Sequence, residues 1–214
     1  MTKIIAIDGP ASVGKSTLAK RISKKFNSPV LYSGKLYRAL ASEIIKRKIN
    51  HNNTKEILKC IIYIDLENLD STRLYSSEVD NVSSIISAKK QVRDKLIIFQ
   101  RSFPKKYGNN NKFAIIEGRD IGTIIFPKAS YKIFLWAAAE VRAKRRYEQL
   151  RKNGKNVSYS KIFSEISVRD RKDMTRKIAP LMPAANSVLL DTTYIDIEQA
   201  FNALNEIILR TKTI

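Results

Sequence analysis

The chain has 214 residues, of which 43% are hydrophobic and 28% charged, as is typical of a globular protein with one substantial core. Its single cysteine, Cys60, excludes an internal disulfide, and no apolar run approaches the ~20 residues that a membrane-spanning helix needs. The N-terminal segment lacks the basic and apolar regions of a signal peptide, so we expect a cytoplasmic protein that does not bind membranes.

The formal charge of +20 is compatible with two kinds of partner. A basic surface can bind nucleic acid, and it can also attract small, highly charged phosphate substrates. The sequence contains no RNP-like aromatic motif and no zinc-finger spacing. We therefore expect small phosphate ligands and no nucleic acid, and a basic nucleic-acid-binding protein that also binds a nucleotide stays open as an alternative.

The first element of the chain is an apolar run, Ile4–Ile7, of the length of a buried parallel strand. It is followed by a segment that matches the phosphate-loop pattern G-x-x-x-x-G-K-[ST], and then by a helical segment, Thr17–Phe26. In such a loop Lys15 reaches the β- and γ-phosphates of a nucleotide and the Ser16 hydroxyl binds Mg²⁺. The residues expected to bind the donor nucleotide here are Gly9, Pro10, Ala11, Ser12, Val13, Gly14, Lys15, Ser16 and Thr17.

The middle of the chain is predicted to be mainly helical. A short strand, Val30–Tyr32, precedes a helix that we expect to run from an N-cap at Ser33 to about Lys48. Beyond it the pattern predicts a helical start to 56–66, an irregular stretch over 67–80, a helix within 81–103 and a loop over 105–112.

The last part alternates strands and helices. Strands are predicted at 113–116, 131–136 and 188–190, helices at 138–151 and 160–168, and a C-terminal helix after a capping box of Asp196 and Gln199. This alternation predicts an α/β fold, a parallel sheet with helices on both faces. We expect one P-loop chain with a core at about 1–33 and 104–214 and an inserted lobe at about 34–103.

Charged residues follow the strand at 113–116 and line several predicted helices. Glu117 and Asp120 should lie at the carboxyl edge of the sheet, where they could order Mg²⁺-bound water or contact a second substrate. Guanidinium groups bind phosphate in a fork geometry, so several of them predict a second anionic substrate. The arginines concerned are Arg38, Arg93, Arg119, Arg169 and Arg176.

No Ser/His/Asp or Cys/His arrangement is credible, since the chain has one histidine and one cysteine. This absence fits transfer of a phosphoryl group to a phosphate, because such an acceptor is already ionised and needs no base. Catalysis then rests on positioning and on neutralisation of charge by Lys15, Mg²⁺ and the arginines. The run from Arg169 to Arg176 resembles a mobile cover that closes over the transferred group.

Taken together, seven segments resemble those of bacterial cytidylate kinases, which are P-loop nucleoside-monophosphate kinases. The segments are IDGPASVGKS at 7–16, SGKLYR at 33–38, EVDNVSS at 78–84, VRDKL at 92–96, EGRDIGTIIFP at 117–127, VRAKRR at 141–146 and RDRKDMTRKIAPLMPA at 169–184. The resemblance implies a five-stranded parallel sheet, an inserted monophosphate-binding domain and a short lid, here at about 152–180. It also implies ATP-dependent phosphorylation of CMP and dCMP with Mg²⁺. We expect a monomer. Another small P-loop kinase, with a different monophosphate or a small metabolite as acceptor, stays open.

The resemblance also implies roles for individual residues. It places Ser33, Arg38 and Arg119 near the acceptor phosphate, Ser84, Arg93, Asp120 and Arg176 at the cytosine, Arg169 and Asp173 at the sugar, and Arg145 near the donor nucleotide. We expect Lys15, Arg119, Asp120, Arg169 and Arg176 to carry the catalysis, with Ser16 as the metal ligand. The sequence departs from the family at Tyr32, usually Asp or Thr, at Lys35, usually Ala, and at Glu117, usually Asp, and its insert near 67–77 is short.

Overall fold

The computed structural model describes residues 2–64, 69, 74, 76–108 and 111–210. Its centre is a five-stranded sheet in which all the paired strands are parallel, in the order β2-β3-β1-β4-β5. The strands are β1 Lys3–Asp8, β2 Val30–Tyr32, β3 Phe113–Gly118, β4 Tyr131–Trp136 and β5 Val188–Asp191. This confirms the predicted fold class.

Helices connect the strands. They are α1 Lys15–Lys25, α2 Ser33–Lys46, α3 Thr54–Cys60, α4 Ser77–Ser87, α5 Lys90–Tyr107, α6 Ala139–Lys152, α7 Tyr159–Thr175 and α8 Ile197–Arg210. A 3₁₀ turn follows α3 at Ile61–Tyr63, and a π-helical turn follows β3 at Ile121–Ile125. Among the described helices, none combines the length and apolar character that a membrane span requires.

The three central strands, β1, β3 and β4, are buried on both faces over most of their length, which explains their apolar runs. The edge strand β5 is more open, with Val188 and Leu189 exposed. One face packs Ile5, Ile7 and Ile133 against α1 and α8. The other face packs Ala6 and Ile116 against residues of α2, α5 and the π-helical turn. Because every strand runs the same way, the polar residues that end β1 and β3 meet at one carboxyl edge, with Asp8 in register with Gly118.

Helices α2 to α5 lie between β2 and β3 in the chain and share an apolar cluster of their own. It includes Leu40 and Ile44 of α2, Ile57 of α3, Ile86 of α4 and Val92 of α5, all of them at most 1% exposed. The division into a core, an insert at 34–103 and a lid at 152–180 stays a prediction. Of the short stretch near 67–77, residues 67, 68, 70–73 and 75 lie outside the described residues.

Four local expectations for the middle of the chain are wrong. Ser33 is the first residue of α2 and not its N-cap, a position taken by Tyr32 without a side-chain hydrogen bond. Helix α2 ends at Lys46, two residues before the predicted Lys48. The region 81–103 holds two helices, because α4 begins at Ser77, where the Ser76 side chain accepts a hydrogen bond from the Val79 N–H, and α5 is separate.

The fourth concerns the predicted loop at 105–112, since α5 continues through Pro104 to Tyr107. Phe103 and Pro104 are both buried, and their packing keeps the last turn helical despite the hydrogen bond that a proline cannot donate. In the last helix the predicted capping box is confirmed: Gln199 N–H donates to Asp196 Oδ1 at 2.8 Å, and Asp196 N–H donates to Gln199 Oε1 at 2.9 Å.

Candidate active site

The phosphate loop joins the carboxyl end of β1 to the N-terminus of α1, as its sequence predicts. Gly9 has φ 151°, and a Cβ there would lie 2.4 Å from the Leu135 carbonyl oxygen, so a side chain is excluded by β4. Gly14 precedes α1 with φ 99°, a conformation that favours glycine. Ser16 and Thr17 are exposed in the first turn of α1, at its positive end. The loop therefore has the backbone and the hydroxyl groups of an anion site.

Two cationic side chains converge on one carbonyl oxygen of this loop. Lys15 Nζ and Arg119 Nη1 each donate to the Gly9 oxygen at 2.9 Å, and Lys15 also donates to the Pro10 oxygen at 2.7 Å. Burial, together with the charge of Arg119, lowers the pKa of Lys15 to about 7, although Glu117 opposes the shift. An anion bound here would favour the charged form of Lys15 beside Arg119, so this point suits a phosphate group.

Arg119 is also the first member of a buried network of charges. Its Nε donates to Asp173 Oδ2 of α7 at 2.8 Å, and Asp173 Oδ1 lies 3.8 Å from Arg176 Nη1. Arg176 Nη2 lies 4.0 Å from Asp120 Oδ1, and Asp120 forms an ion pair with Arg93 of α5. Burial raises the pKa of Asp120, against the charges of the arginines. Asp120 thus pairs with Arg93 in this structure, and its contact with a ligand stays a prediction.

Arg38 and Arg169 meet at a carboxylate that the sequence analysis missed. Both pair with Asp80 Oδ1 of α4, Arg169 at 3.3 Å, and Arg38 Nη1 also donates to the Leu74 carbonyl at 2.8 Å. The segment EVDNVSS contains Asp80, but its spacing alone does not single out this residue.

All five arginines predicted to bind a second anion are thus engaged in the same region, which they reach from α2, α5, α7 or its C-cap and the end of β3. The aspartates that they pair with in these contacts are Asp80, Asp120 and Asp173, so cations exceed these carboxylates. An anion would complete the neutralisation.

The other predicted site residues lie around this region at different distances from it. Ser33 is buried with its Oγ unpartnered among the described residues, and a Cβ on Gly118 would lie 3.4 Å from its Cβ. Ser84 is on α4, one turn before Ser87, whose Oγ lies 3.5 Å from Arg176 Nη1. Arg145 of α6 instead binds the loop after β5, donating to the carbonyls of Thr192 at 2.6 Å and Ile195 at 3.1 Å. The roles of all three in binding stay predictions.

Asp8, the last residue of β1, is a second carboxylate that the sequence analysis did not single out. It is buried, and its two oxygens accept hydrogen bonds from the backbone N–H groups of Ile121 at 2.8 Å and Gly122 at 2.7 Å. Burial raises its pKa to about 7, although the two hydrogen bonds oppose the shift. Asp8 thereby fixes the turn that carries Asp120. The position of an Asp at a strand end just before a phosphate loop was the available signal.

A third missed feature is a buried ion pair between α6 and α7. Arg142 Nη1 lies 2.5 Å from Asp170 Oδ2, and both side chains contact Ala11 of the phosphate loop. Both residues lie within basic segments of the sequence, 141–146 and 169–184, but their spacing does not indicate that they are buried.

Two of the departures from the family pattern contact each other. The Lys35 ammonium lies 4.2 Å from the centre of the Tyr32 ring, a cation–π contact at the beginning of α2. The third departure, Glu117, is buried at the end of β3 in register with Tyr32.

Comparison with known proteins agrees with this geometry. A family model described as cytidylate kinase matches residues 5–210. A cytidylate kinase of Fusobacterium nucleatum is 40% identical over 98% of this chain and 98% of its own, and one of Acidiphilium cryptum is 39% identical over 96% of this chain and 94% of its own.

Solved structures with lower sequence identity share the fold. An uncharacterized protein from Eubacterium ventriosum superposes over 100% of both chains with a TM-score of 0.54 at 14% identity. A Thermus thermophilus protein superposes over 100% of this chain and 99% of its own with a TM-score of 0.51 at 16% identity. These two describe the fold alone, whereas the sequence relatives are similar from end to end. On that similarity the chain belongs to the cytidylate kinase family.

Proposed function

We propose that this chain transfers the γ-phosphoryl group of ATP to CMP and to dCMP, giving CDP and dCDP. The relatives that it resembles over nearly their whole length are named cytidylate kinases. The proposal takes the phosphate loop as the donor site and the arginine-rich region beside it as the acceptor site.

The observation that carries the proposal is the meeting of Lys15 and Arg119 at the Gly9 carbonyl. Lys15 belongs to the donor loop, whereas Arg119 belongs to the buried network that continues into α7. The two cations stand where a donor loop and an acceptor region adjoin. A phosphoryl group that passes from one phosphate to another needs stabilisation of charge at that boundary.

The acceptor needs no general base, since its phosphate is already ionised. The chain's own residues therefore bind, orient and neutralise. Lys15 leaves its two carbonyl partners and follows the moving phosphoryl group, and Arg119 contacts the acceptor phosphate on the other side. Arg169 and Arg176 of the α7 region bring further positive charge and exclude water from the site.

The residues that surround the loop fit a magnesium ion of the usual kind in such kinases. Among the described residues no three His, Cys, Asp or Glu side chains form a group that could hold a metal by themselves. Mg²⁺ is typically held by one or two protein oxygens together with the substrate phosphates, and the exposed Ser16 hydroxyl at the start of α1 is such an oxygen. When bound, the ion supplies charge neutralisation of the donor phosphates.

For the acceptor we assign Ser33, Arg38 and Arg119 to the phosphate and Arg169 and Asp173 to the sugar. We assign binding of the cytosine to Ser84, Arg93, Asp120 and Arg176, and binding of the donor nucleotide to Arg145. The shared ion pairs of the five arginines support this grouping. The contacts of Arg145 with Thr192 and Ile195 support only a place beside the loop after β5.

The direct test is transfer of label from γ-labelled ATP, with CMP, dCMP, UMP, AMP and RNA added separately. We expect labelled CDP and dCDP from the unmodified protein and a loss of roughly 10²-fold or more in rate from Lys15→Met, the loss of one electrostatic donor. Transfer of the label to a different nucleotide would mean that this nucleotide, and not CMP, is the acceptor. ATP turnover that depends on RNA would favour the nucleic-acid alternative. The monomeric state and the cytoplasmic location stay predictions from the sequence.

A further inference from the structure

Ala11, in the middle of the phosphate loop, is held by two side chains from distant helices. Its N–H donates to Asp170 Oδ1 of α7 at 3.2 Å, and its carbonyl oxygen accepts from Arg142 Nη1 of α6 at 2.9 Å. The residue is 8% exposed, so water does not compete freely for these bonds. Both backbone polar groups of this loop residue are thus fixed from outside the loop.

The two side chains also bind each other. Arg142 Nη1 lies 2.5 Å from Asp170 Oδ2, and the side chains are 2% and 9% exposed. Arg142 Nε donates to the Ala137 carbonyl at 2.8 Å, just beyond the end of β4. A buried charge without its partner is strongly unfavourable, so neither residue can move away while the other stays. The pair therefore behaves as one unit between the sheet, the loop and α7.

Helix α7 is connected to the loop at a second point, one turn further along, through Arg119. Asp173 accepts from Arg119 Nε at 2.8 Å, and Arg119 Nη1 donates to the Gly9 carbonyl at 2.9 Å. Asp170 and Asp173 are three residues apart and share the buried face of α7. The same part of the helix carries Arg169, and Arg176 is its C-cap. A displacement of Ala11 would consequently move the part of α7 that carries the arginines assigned to the acceptor.

We propose that Arg142 and Asp170 are positioning residues that transmit occupancy of the phosphate loop to α7, so that binding of the donor phosphates and placement of Arg169 and Arg176 are energetically linked. The proposal rests on the proposed function only for the identity of the two nucleotides.

Because the two residues carry opposite charges, a substitution that removes one charge but keeps the hydrogen bond to Ala11 tests the proposal separately from a general loss of stability. Asp170 alone would repel a polyphosphate in the loop, and Arg142 offsets that charge. Asp170→Asn can still accept the Ala11 hydrogen bond through its amide oxygen but no longer neutralises Arg142. This variant should bind phosphates at least as well as the unmodified protein, whereas the transmission to α7, which depends on the charge pair, should fail.

The experiment is amide hydrogen exchange with and without inorganic tripolyphosphate, which fills the loop but carries no base that could touch α7. In the unmodified protein we expect slower exchange in peptides from the loop, 9–18, and from α7, 159–175. Asp170→Asn should keep the effect in the loop and lose most of it in α7. Asp94→Asn is the matched control, because Asp94 pairs with Lys90 at the exposed surface of α5.

Equal protection of α7 in Asp170→Asn and in the unmodified protein would overturn the proposal. The proposal would also be overturned if tripolyphosphate slowed exchange only in the loop of the unmodified protein. If it did not slow exchange in the loop either, both the phosphate site and the proposal would be overturned. If Asp170→Asn does not fold, Arg142→Lys replaces it, since a lysine keeps the charge but cannot bind Ala11, Ala137 and Asp170 at once with the same geometry.

A second readout uses the two nucleotides. We expect a non-hydrolysable ATP analogue to raise the affinity for CMP about fivefold or more, within the usual range of coupling between sites, and this factor to approach one in Asp170→Asn. A factor unchanged in the variant contradicts the proposal. Failure of the unmodified protein to phosphorylate CMP, with the response of α7 to tripolyphosphate intact, would count against the proposed function and not against the coupling.

Discussion

Binding of ATP should be accompanied by uptake of almost one proton at pH 8, and Lys15 should be the group that takes it up. Burial and the charge of Arg119 lower the pKa of Lys15 to about 7 in the free protein. At pH 8 about nine in ten of its amines are then neutral, and at pH 6 only about one in ten. The phosphates of ATP favour the charged amine and raise its pKa again. Proton uptake should therefore be ~0.9 at pH 8 and ~0.1 at pH 6, and the affinity for ATP should fall as the pH rises above 7.

Isothermal titration calorimetry in buffers of different ionisation enthalpy measures this uptake, with a non-hydrolysable ATP analogue as the ligand. Lys15→Met, which keeps the length of the side chain without the charge, should lose most of the uptake at pH 8. Asp8→Asn is the necessary control, because the pKa of Asp8 is also about 7 and Asp8 interacts with Lys15. Uptake at pH 8 that is the same in Lys15→Met and in the unmodified protein would refute the reasoning.

Three further changes test other parts of the account. Arg176→Ala should lower kcat more than it weakens ATP binding, and an unchanged kcat with both substrates saturating would mean that Arg176 has no part in the transfer. Gly9→Ala should lower the unfolding free energy by ~1–3 kcal/mol and raise KM for ATP, since its Cβ meets the Leu135 oxygen in a strained conformation; a thermal melt at the normal temperature would contradict this. Burial raises the pKa of Asp8 from 3.8 to about 7, so the folded protein holds an extra proton between these values and stability from this group is lost as the pH rises through them. In urea unfolding, the unfolding free energy should fall less between pH 5 and pH 7 in Asp8→Asn than in the unmodified protein. An equal fall in both proteins would contradict the raised pKa of Asp8.

The parts of the fold that follow from local pattern could be predicted from the sequence. The strand at 131–136 and the capping box of Asp196 and Gln199 are where the pattern puts them, because a buried parallel strand and a helix start each have a local signature. The division of 77–107 into α4 and α5, and the passage of α5 through Pro104, depend on packing against other elements. Local propensity gives no sign of such contacts.

The candidate site divides in the same way. The phosphate loop and the arginines that gather near it could be identified because their residue types and order are distinctive. The partners of those arginines could not, since Asp80 and Asp170 look like ordinary charges on solvated helix faces until the fold places them. Arg142 is the plainest case. It lies in a run of basic side chains on α6, yet it is 2% exposed and donates a hydrogen bond to the Ala11 carbonyl of the phosphate loop.

The measurement that tests the central claim most directly is kcat/KM for CMP and UMP, determined side by side from ADP release by the unmodified protein and by Asp120→Asn. Cytosine presents an amino donor where uracil presents a carbonyl, and a carboxylate held by Arg93 and Arg176 can accept from the first but repels the second. We expect kcat/KM for CMP to exceed that for UMP by on the order of 10²-fold or more, and Asp120→Asn to narrow the ratio and slow CMP. Equal use of CMP and UMP by the unmodified protein would contradict the account, and a ratio unchanged in Asp120→Asn would remove Asp120 from the base pocket.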